Sequence, residues 1–312
     1  MIIKNSVPLF WFQMILYCMN NAANLKLSII ICTYNRIDLL QKCITSLLPQ
    51  LNEKVELIII DNNSTDNTQD ICQNYAFQYN KINYIFEGKK GLSFARNKGL
   101  VVSNAEWILF LDDDTIAFPD LVDRALVITN QDKFACVGGY YKGYAEMEMP
   151  KWVPNSFGTM QYTSNDLTQC AYYIPIGLNV MYKRKVALSL GGFKTDLGMV
   201  AEKKFLGEET ELQYRMSNNA YLIGFDPNLK VYHLIKKEYL TLSHFFKRGF
   251  YDGFANGKIY KSNTINNFYL LTKSILSFIF KRVPIVFYKF IFYPNYFYQN
   301  AILEACRPVL LN

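Results

Sequence analysis

Trp107-Ile-Leu-Phe-Leu111-Asp112-Asp113-Asp114-Thr115 decides how the rest of the chain is read. The apolar residues Trp107 to Leu111 are too few for a helix and rich in β-formers, so they predict a fully buried strand. Three carboxylates then leave its C-terminal end. In an open parallel sheet, the crevice beyond the strand C-termini is where ligands bind. Adjacent carboxylates raise one another's pKa values unless a cation stands among them. The economical partner is a hard divalent ion held by oxygen, Mg²⁺ or Mn²⁺. A solvated acidic turn is the plain alternative, and the sequence upstream weighs against it.

Upstream, Leu27 to Cys32 and Val55 to Ile60 are apolar runs of strand length, and Ile82 to Phe86 is a shorter third. Between them, Ile37 to Leu48 has helical spacing and stops at Pro49, and helical patterns recur over 67–77 and 92–102. This β-α-β-α-β-α-β order with right-handed crossovers implies a parallel sheet covered on both faces. Polar clusters follow three of these strands: Thr33 to Arg36, Asp61 to Asp66 and Asp112 to Asp114. All three are therefore expected in one crevice. The first βα turn lacks G-x-G-x-x-G and no G-x-x-x-x-G-K-[ST] occurs, which disfavours a dinucleotide fold and excludes a P-loop. Acidic and amide groups at such an edge suit a nucleotide diphosphate bridged by a cation. Each cluster has a plainer rival: Thr33 and Asn35 as helix caps, Asp61 to Asp66 as an Asx-rich turn, Arg96 as a surface ion pair.

The chain has 312 residues, 51% of them hydrophobic, enough for one large domain or a domain with an appendage. The net charge of +7 gathers near the C-terminus, which suits an anionic membrane or phosphorylated substrates, with nucleic acid not expected as a partner. Seven cysteines without C-x-x-C spacing argue for a reducing compartment. Residues 1–24 form a hydrophobic extension, read as a signal, a membrane contact or a dispensable leader. Beyond Leu240, large apolar residues mix with Lys281, Arg282 and Lys289, too interrupted for a spanning helix. That tail reads as an in-plane membrane anchor or as a helical cap on the core.

Five stretches together resemble the family 2 glycosyltransferases. They are Ser28-Ile-Ile-Ile-Cys-Thr-Tyr-Asn-Arg36, Val55-Glu-Leu-Ile-Ile-Ile-Asp-Asn-Asn-Ser-Thr-Asp66, Gly91-Leu-Ser-Phe-Ala-Arg-Asn97, Phe110-Leu-Asp-Asp-Asp114, and Gly191-Gly192-Phe193 followed by Gly207-Glu208-Glu209-Thr210-Glu211. The resemblance implies an α/β GT-A fold, a Rossmann-like doubly wound mixed sheet, over residues 25–235, with 236–312 as a C-terminal accessory region. It implies inverting transfer from a nucleotide-diphosphate sugar to a saccharide or lipid-linked acceptor, with Mn²⁺ or Mg²⁺ as cofactor. Surface polysaccharide synthesis at the inner face of the cell membrane would follow.

Carried onto this chain, the family's pattern assigns Thr33, Asn35, Arg36, Asp61, Ser64, Arg96, Asp112 and Asp113 to the donor. Asp61 would accept from the base ring N–H, favouring uracil or thymine, Arg96 would lie beside the diphosphate or ribose, and Asp112 would hold the ribose. Asp114 would bind the metal, with His233 completing its coordination. Glu209, beside Glu208 at a helix N-terminus, would be the general base. The family usually has Glu-Asp there, so this chain's base is one methylene longer. Lys236 and Lys237 would screen the leaving diphosphate, and Trp152, Tyr140 or Tyr141 would shape the acceptor side or pack in the core. A sugar nucleotidyltransferase and a non-catalytic nucleotide-sugar binder are the alternatives. The first should carry a Gly-rich basic loop where Thr33 to Arg36 stands.

Overall fold

The computed structural model describes residues 25–241, apart from 151, 152, 154, 155, 163, 171–176, 201, 202, 205 and 206, together with His244. In its first half, β1 (Leu27–Thr33), β2 (Val55–Asp61), β3 (Ile82–Phe86) and β4 (Trp107–Asp112) alternate with α1 (Ile37–Leu47), α2 (Thr68–Gln78) and α3 (Leu92–Val102). The second half adds β5 (Thr115–Ala117), α4 (Leu121–Thr129), β6 (Cys136–Tyr144), β7 (Thr168–Gln169), β8 (Asn179–Lys183), α5 (Arg184–Ser189), β9 (Met199–Val200), β10 (Lys203–Lys204), α6 (Glu208–Asn218) and β11 (Ile223–Leu234). The main sheet runs β3-β2-β1-β4-β8-β6-β11-β5, with β7 on β11, while β9 and β10 pair separately.

Successive strand side chains point to opposite faces, and here both faces are covered. Ile29, Ile31, Leu57, Ile59, Leu109 and Leu111 pack in one core layer with α1 and α4. Ile30, Ile58, Ile60, Ile108 and Phe110 pack in the other with Leu100, Ala187, Leu212 and Met216. That double covering is why these strands are apolar without alternation. The sheet is parallel through β4, as the sequence predicts, and β8 then enters antiparallel between β4 and β6. Two reversals put β6 and β11 parallel to β4 again, so the end of β11 reaches the same edge as Asp112.

The Gly- and aromatic-rich sequence from Tyr140 to Asp166 has no strand pattern of its own, yet Tyr140 to Tyr144 completes β6, paired with Lys230 to Leu234. Tyr141 sets its ring edge toward His233, with centroids 6.1 Å apart. Trp152, the N-terminal extension and the basic aromatic tail lie outside the described residues. Among the described residues, no helix is long and apolar enough to cross a membrane.

Candidate active site

The β1 and β2 turns are knitted together by their own side chains. Asn35 takes a left-handed backbone (φ 52°), tolerable for Asn. Its Oδ1 accepts from the Thr65 N–H at 2.6 Å, and its own N–H donates to Ser64 Oγ at 3.0 Å. Asp61 is buried, accepting from the Ser64 N–H and from the Tyr84 hydroxyl, each at 2.9 Å. Asn62 bridges onward, accepting from the Gly91 N–H at 2.7 Å and donating to the Lys89 carbonyl at 2.7 Å. Thr33, Tyr34, Asn62, Lys90 and Gly91 line a small cavity of about 100 Å³ here. Tyr34 is one of its more exposed walls, with Lys90 Nζ 5.0 Å from its ring centroid. Tyr34 is a candidate contact that the motif reading passed over, although it stands inside the quoted Thr-Tyr-Asn-Arg stretch.

The three aspartates diverge. Asp113 turns back beneath β1: Thr33 Oγ1 donates to it at 2.8 Å and Arg36 Nη1 at 3.1 Å. Burial still pushes its carboxyl up to about 6. Both its oxygens are engaged, so it braces the β1 turn. Asp112 lies partly open and faces Arg96 Nη2 at 3.5 Å. Asp114 is buried and faces the end of β11. Lys236 Nζ lies 2.5 Å from its Oδ2, Arg36 Nη1 3.7 Å from the same atom, and His233 Nε2 3.5 Å from Oδ1. Burial alone would raise the Asp114 pKa, but His233 and Lys236 outweigh it and hold the carboxyl well below the usual range.

Arg96 is the hub of the opposite wall. Its Nη1 donates to Glu208 Oε1 at 2.5 Å and to Glu209 Oε1 at 2.6 Å, with only 3% of the guanidinium side chain exposed. The sequence places Arg96 beside the diphosphate or ribose; in the structure it joins the α6 carboxylates to Asp112, because it is the cation buried among them. The Phe193 ring supports it from below, 5.6 Å from the guanidinium carbon. Phe193 is held in turn by Asn97, whose amide donates to the Phe193 carbonyl at 2.7 Å and accepts from its N–H at 2.8 Å. Thus Arg96-Asn97 and the Gly191-Gly192-Phe193 turn form one unit. Burial, then the neighbouring Glu209, push Glu208 up to about 8 against the pull of Arg96. Glu209 is more open, at 17% exposure. Gly177 abuts it: a Cβ there would collide with the Glu209 carboxylate and come within 2.6 Å of Arg96 Nη2.

The residues fit a divalent ion. Asp114 Oδ1 is buried with no hydrogen-bond donor and lies toward the His233 imidazole. Among the described residues, no group of three or more His, Cys, Asp or Glu forms a metal cage. Two protein ligands suffice where phosphate oxygens and water supply the rest, and an imidazole among them suits Mn²⁺.

Comparison with known proteins agrees with this architecture. The model of "Glycosyl transferase family 2" matches residues 28–191. The uncharacterized glycosyltransferase YibD of Escherichia coli is 34% identical over 114 residues, covering 36% of this chain and 33% of that protein. The chain thus spans about a third of that relative's length. A glucosyl-dolichyl phosphate glucuronosyltransferase of Haloferax volcanii is 22% identical over 242 residues, 74% of this chain and 76% of that one. Among solved structures, the mannosyltransferase PcManGT from Pyrobaculum calidifontis, in complex with GDP-Man and Mn²⁺, superposes with a TM-score of 0.60 at 14% identity, covering 95% and 94% of the two chains. That likeness is one of fold. With the family model spanning more than half its length and the GT-A architecture in place, the chain belongs to the family 2 glycosyltransferases.

Proposed function

We propose that residues 25–235 catalyse inverting, metal-dependent transfer of a sugar from a nucleoside diphosphate, UDP or dTDP, to a hydroxyl of a saccharide or lipid-linked acceptor. The observation that carries this reading is the meeting, at one sheet edge, of Asp114 and His233 with Glu209 fixed on Arg96 across from Asp112. The base sits in the cavity lined by Thr33, Tyr34 and Asn62, and Asp61, buried next to Asn62 and bonded to Ser64 and Tyr84, would accept from the ring N–H. Asp112 holds the ribose. Asp114 and His233 would hold the divalent ion, which supplies Lewis-acid stabilisation of the leaving diphosphate.

Lys236 lies at the same position, and its ammonium offsets charge developing on that group. Glu209 removes the acceptor proton as the hydroxyl oxygen attacks the anomeric carbon in line. A single displacement needs one base and no carboxylate nucleophile, so Glu208 is left to hold Arg96. The dolichyl phosphate named for the Haloferax relative favours a lipid-linked acceptor, and the basic, aromatic sequence beyond Leu240 suits attachment to the inner face of the membrane. The Mn²⁺ of PcManGT favours that metal.

The test is to incubate the full chain with UDP-, dTDP- and GDP-sugars, Mn²⁺, and saccharide or polyprenyl-phosphate-linked acceptors, reading the product's anomeric configuration by proton NMR. Inversion is expected; retention would overturn the mechanism. Gly177→Ala should lower turnover about 10²-fold, because displacement of a reacting group by an ångström costs on that order. Its melting temperature should fall by about 3–10 °C, the cost of overpacking beside the buried Arg96, and unchanged turnover would remove Gly177 from the site.

A further inference from the structure

Lys236 does more at Asp114 than screen a product. The ammonium and the carboxylate are both nearly closed to solvent, with 10% and 6% of their side chains exposed. The contact is held by the backbone: the Leu234 N–H donates to the Asp114 carbonyl at 3.2 Å, and the Ile235 N–H to the Tyr144 carbonyl at 2.7 Å. His233 and Lys236 therefore leave the same anchored strand end, one toward each oxygen of Asp114. Arg36 stands 3.7 Å from the oxygen that Lys236 engages. Asp114 thus has two cations on Oδ2 before any metal arrives, while Oδ1 meets only the His233 imidazole, 3.5 Å away. A dication on Oδ1 meets repulsion from both, and in a buried setting such repulsion is weakly screened. A diphosphate would reverse the balance by giving the ammonium another anion. The Tyr239 ring, its centroid 5.5 Å from Lys236 Nζ, is a second neighbour of the ammonium through its π face.

We propose that Lys236 is a tethered cation that holds Asp114 against divalent ions until a nucleoside diphosphate draws the ammonium away, so that metal and nucleotide load together. The inference rests on the assignment of Asp114 as a metal ligand, and on nothing about which sugar is moved. Lys236 is here a positioning residue that sets the order of binding. Only its side chain moves, since the backbone leading into it is held by the Leu234 and Ile235 hydrogen bonds.

Binding of Mn²⁺ to the full chain, read from loss of the free-ion electron paramagnetic resonance signal, tests this without an activity assay. Wild type, Lys236→Met, Lys236→Arg and Asp114→Ala are titrated with Mn²⁺ alone and with saturating UDP. Without UDP, Lys236→Met should bind Mn²⁺ at least tenfold more tightly than wild type, and Lys236→Arg should bind as weakly as wild type. UDP should tighten wild type by more than tenfold and Lys236→Met by much less. Should the Met variant fail to fold, Lys236→Gln carries the same expectation. Equal Mn²⁺ affinity in wild type and the neutral variants, with binding still lost in Asp114→Ala, would overturn the role of Lys236 alone. Mn²⁺ binding that survives Asp114→Ala would instead overturn the metal-site assignment beneath it.

Discussion

Glu209→Gln should lower kcat by about 10²–10⁴-fold, the usual contribution of a positioned general base, with the donor KM little changed. The amide keeps the size of the carboxylate and an oxygen for Arg96, but it takes no proton. Glu208→Gln is the matched comparison. Its carboxyl is buried and pushed up to about 8, so a neutral amide of the same size is tolerated there. Turnover in Glu208→Gln should stay within a few-fold of wild type, as expected for a group that does not touch the reacting atoms. Steady-state kinetics on the two variants decide the assignment. Full activity in Glu209→Gln, or loss confined to Glu208→Gln, would move the base by one residue.

Arg96→Met should destabilise the fold by about 3–5 kcal/mol, because it removes the cation from a buried cluster of like charges. For a domain of this size that is a fall of roughly 10 °C in Tm. The deficit has a pH sign. Glu208 in the native protein is already raised from 4.5 to about 8, and losing Arg96 raises it further. A carboxyl whose folded pKa lies above its unfolded value contributes stability below the unfolded pKa and loses it as pH rises through the folded one. The gap between Arg96→Met and wild type should therefore be constant below about pH 8, where Glu208 is protonated in both folded proteins, and widen as pH rises past 8. Melting curves below and above pH 8 check this. A gap that widens on acidification would mean that Glu208 is not the group left uncompensated.

The strands and helices that build the first half were legible because their signals are local. Continuous apolar runs gave β1, β2 and β4, and the 3.6-residue period gave α1 and α3. Cys136-Val-Gly-Gly-Tyr-Tyr-Lys-Gly-Tyr144 was not legible throughout, since glycines and half-buried aromatics disguise a strand that exists through pairing with β8 and β11. The edge at which ligands should gather followed from strand order. What each side chain does there did not. Asp112, Asp113 and Asp114 are consecutive, yet they serve Arg96, the β1 turn and the β11 end respectively. Arg96 meets Glu208 across 112 positions of sequence, a distance no spacing rule spans. Gly177 carried no sequence signal at all, because its importance is the absence of a Cβ beside Glu209.

Asp114, two residues past the end of β4, is the residue on which metal-dependent nucleotide binding at this edge is proposed to depend. Thermal stabilisation of the full chain by UDP, dTDP and GDP, each with and without Mn²⁺, tests this dependence most directly, with Asp114→Ala alongside. At a nucleotide concentration a hundredfold above Kd, linkage predicts about 2.7 kcal/mol of added stability. In a domain of this size that is roughly a 5–10 °C rise in Tm. This rise is expected with UDP or dTDP only when Mn²⁺ is present, and it should be lost in Asp114→Ala. A chain that no nucleotide stabilises in the presence of Mn²⁺, or a shift that Asp114→Ala retains, would contradict it.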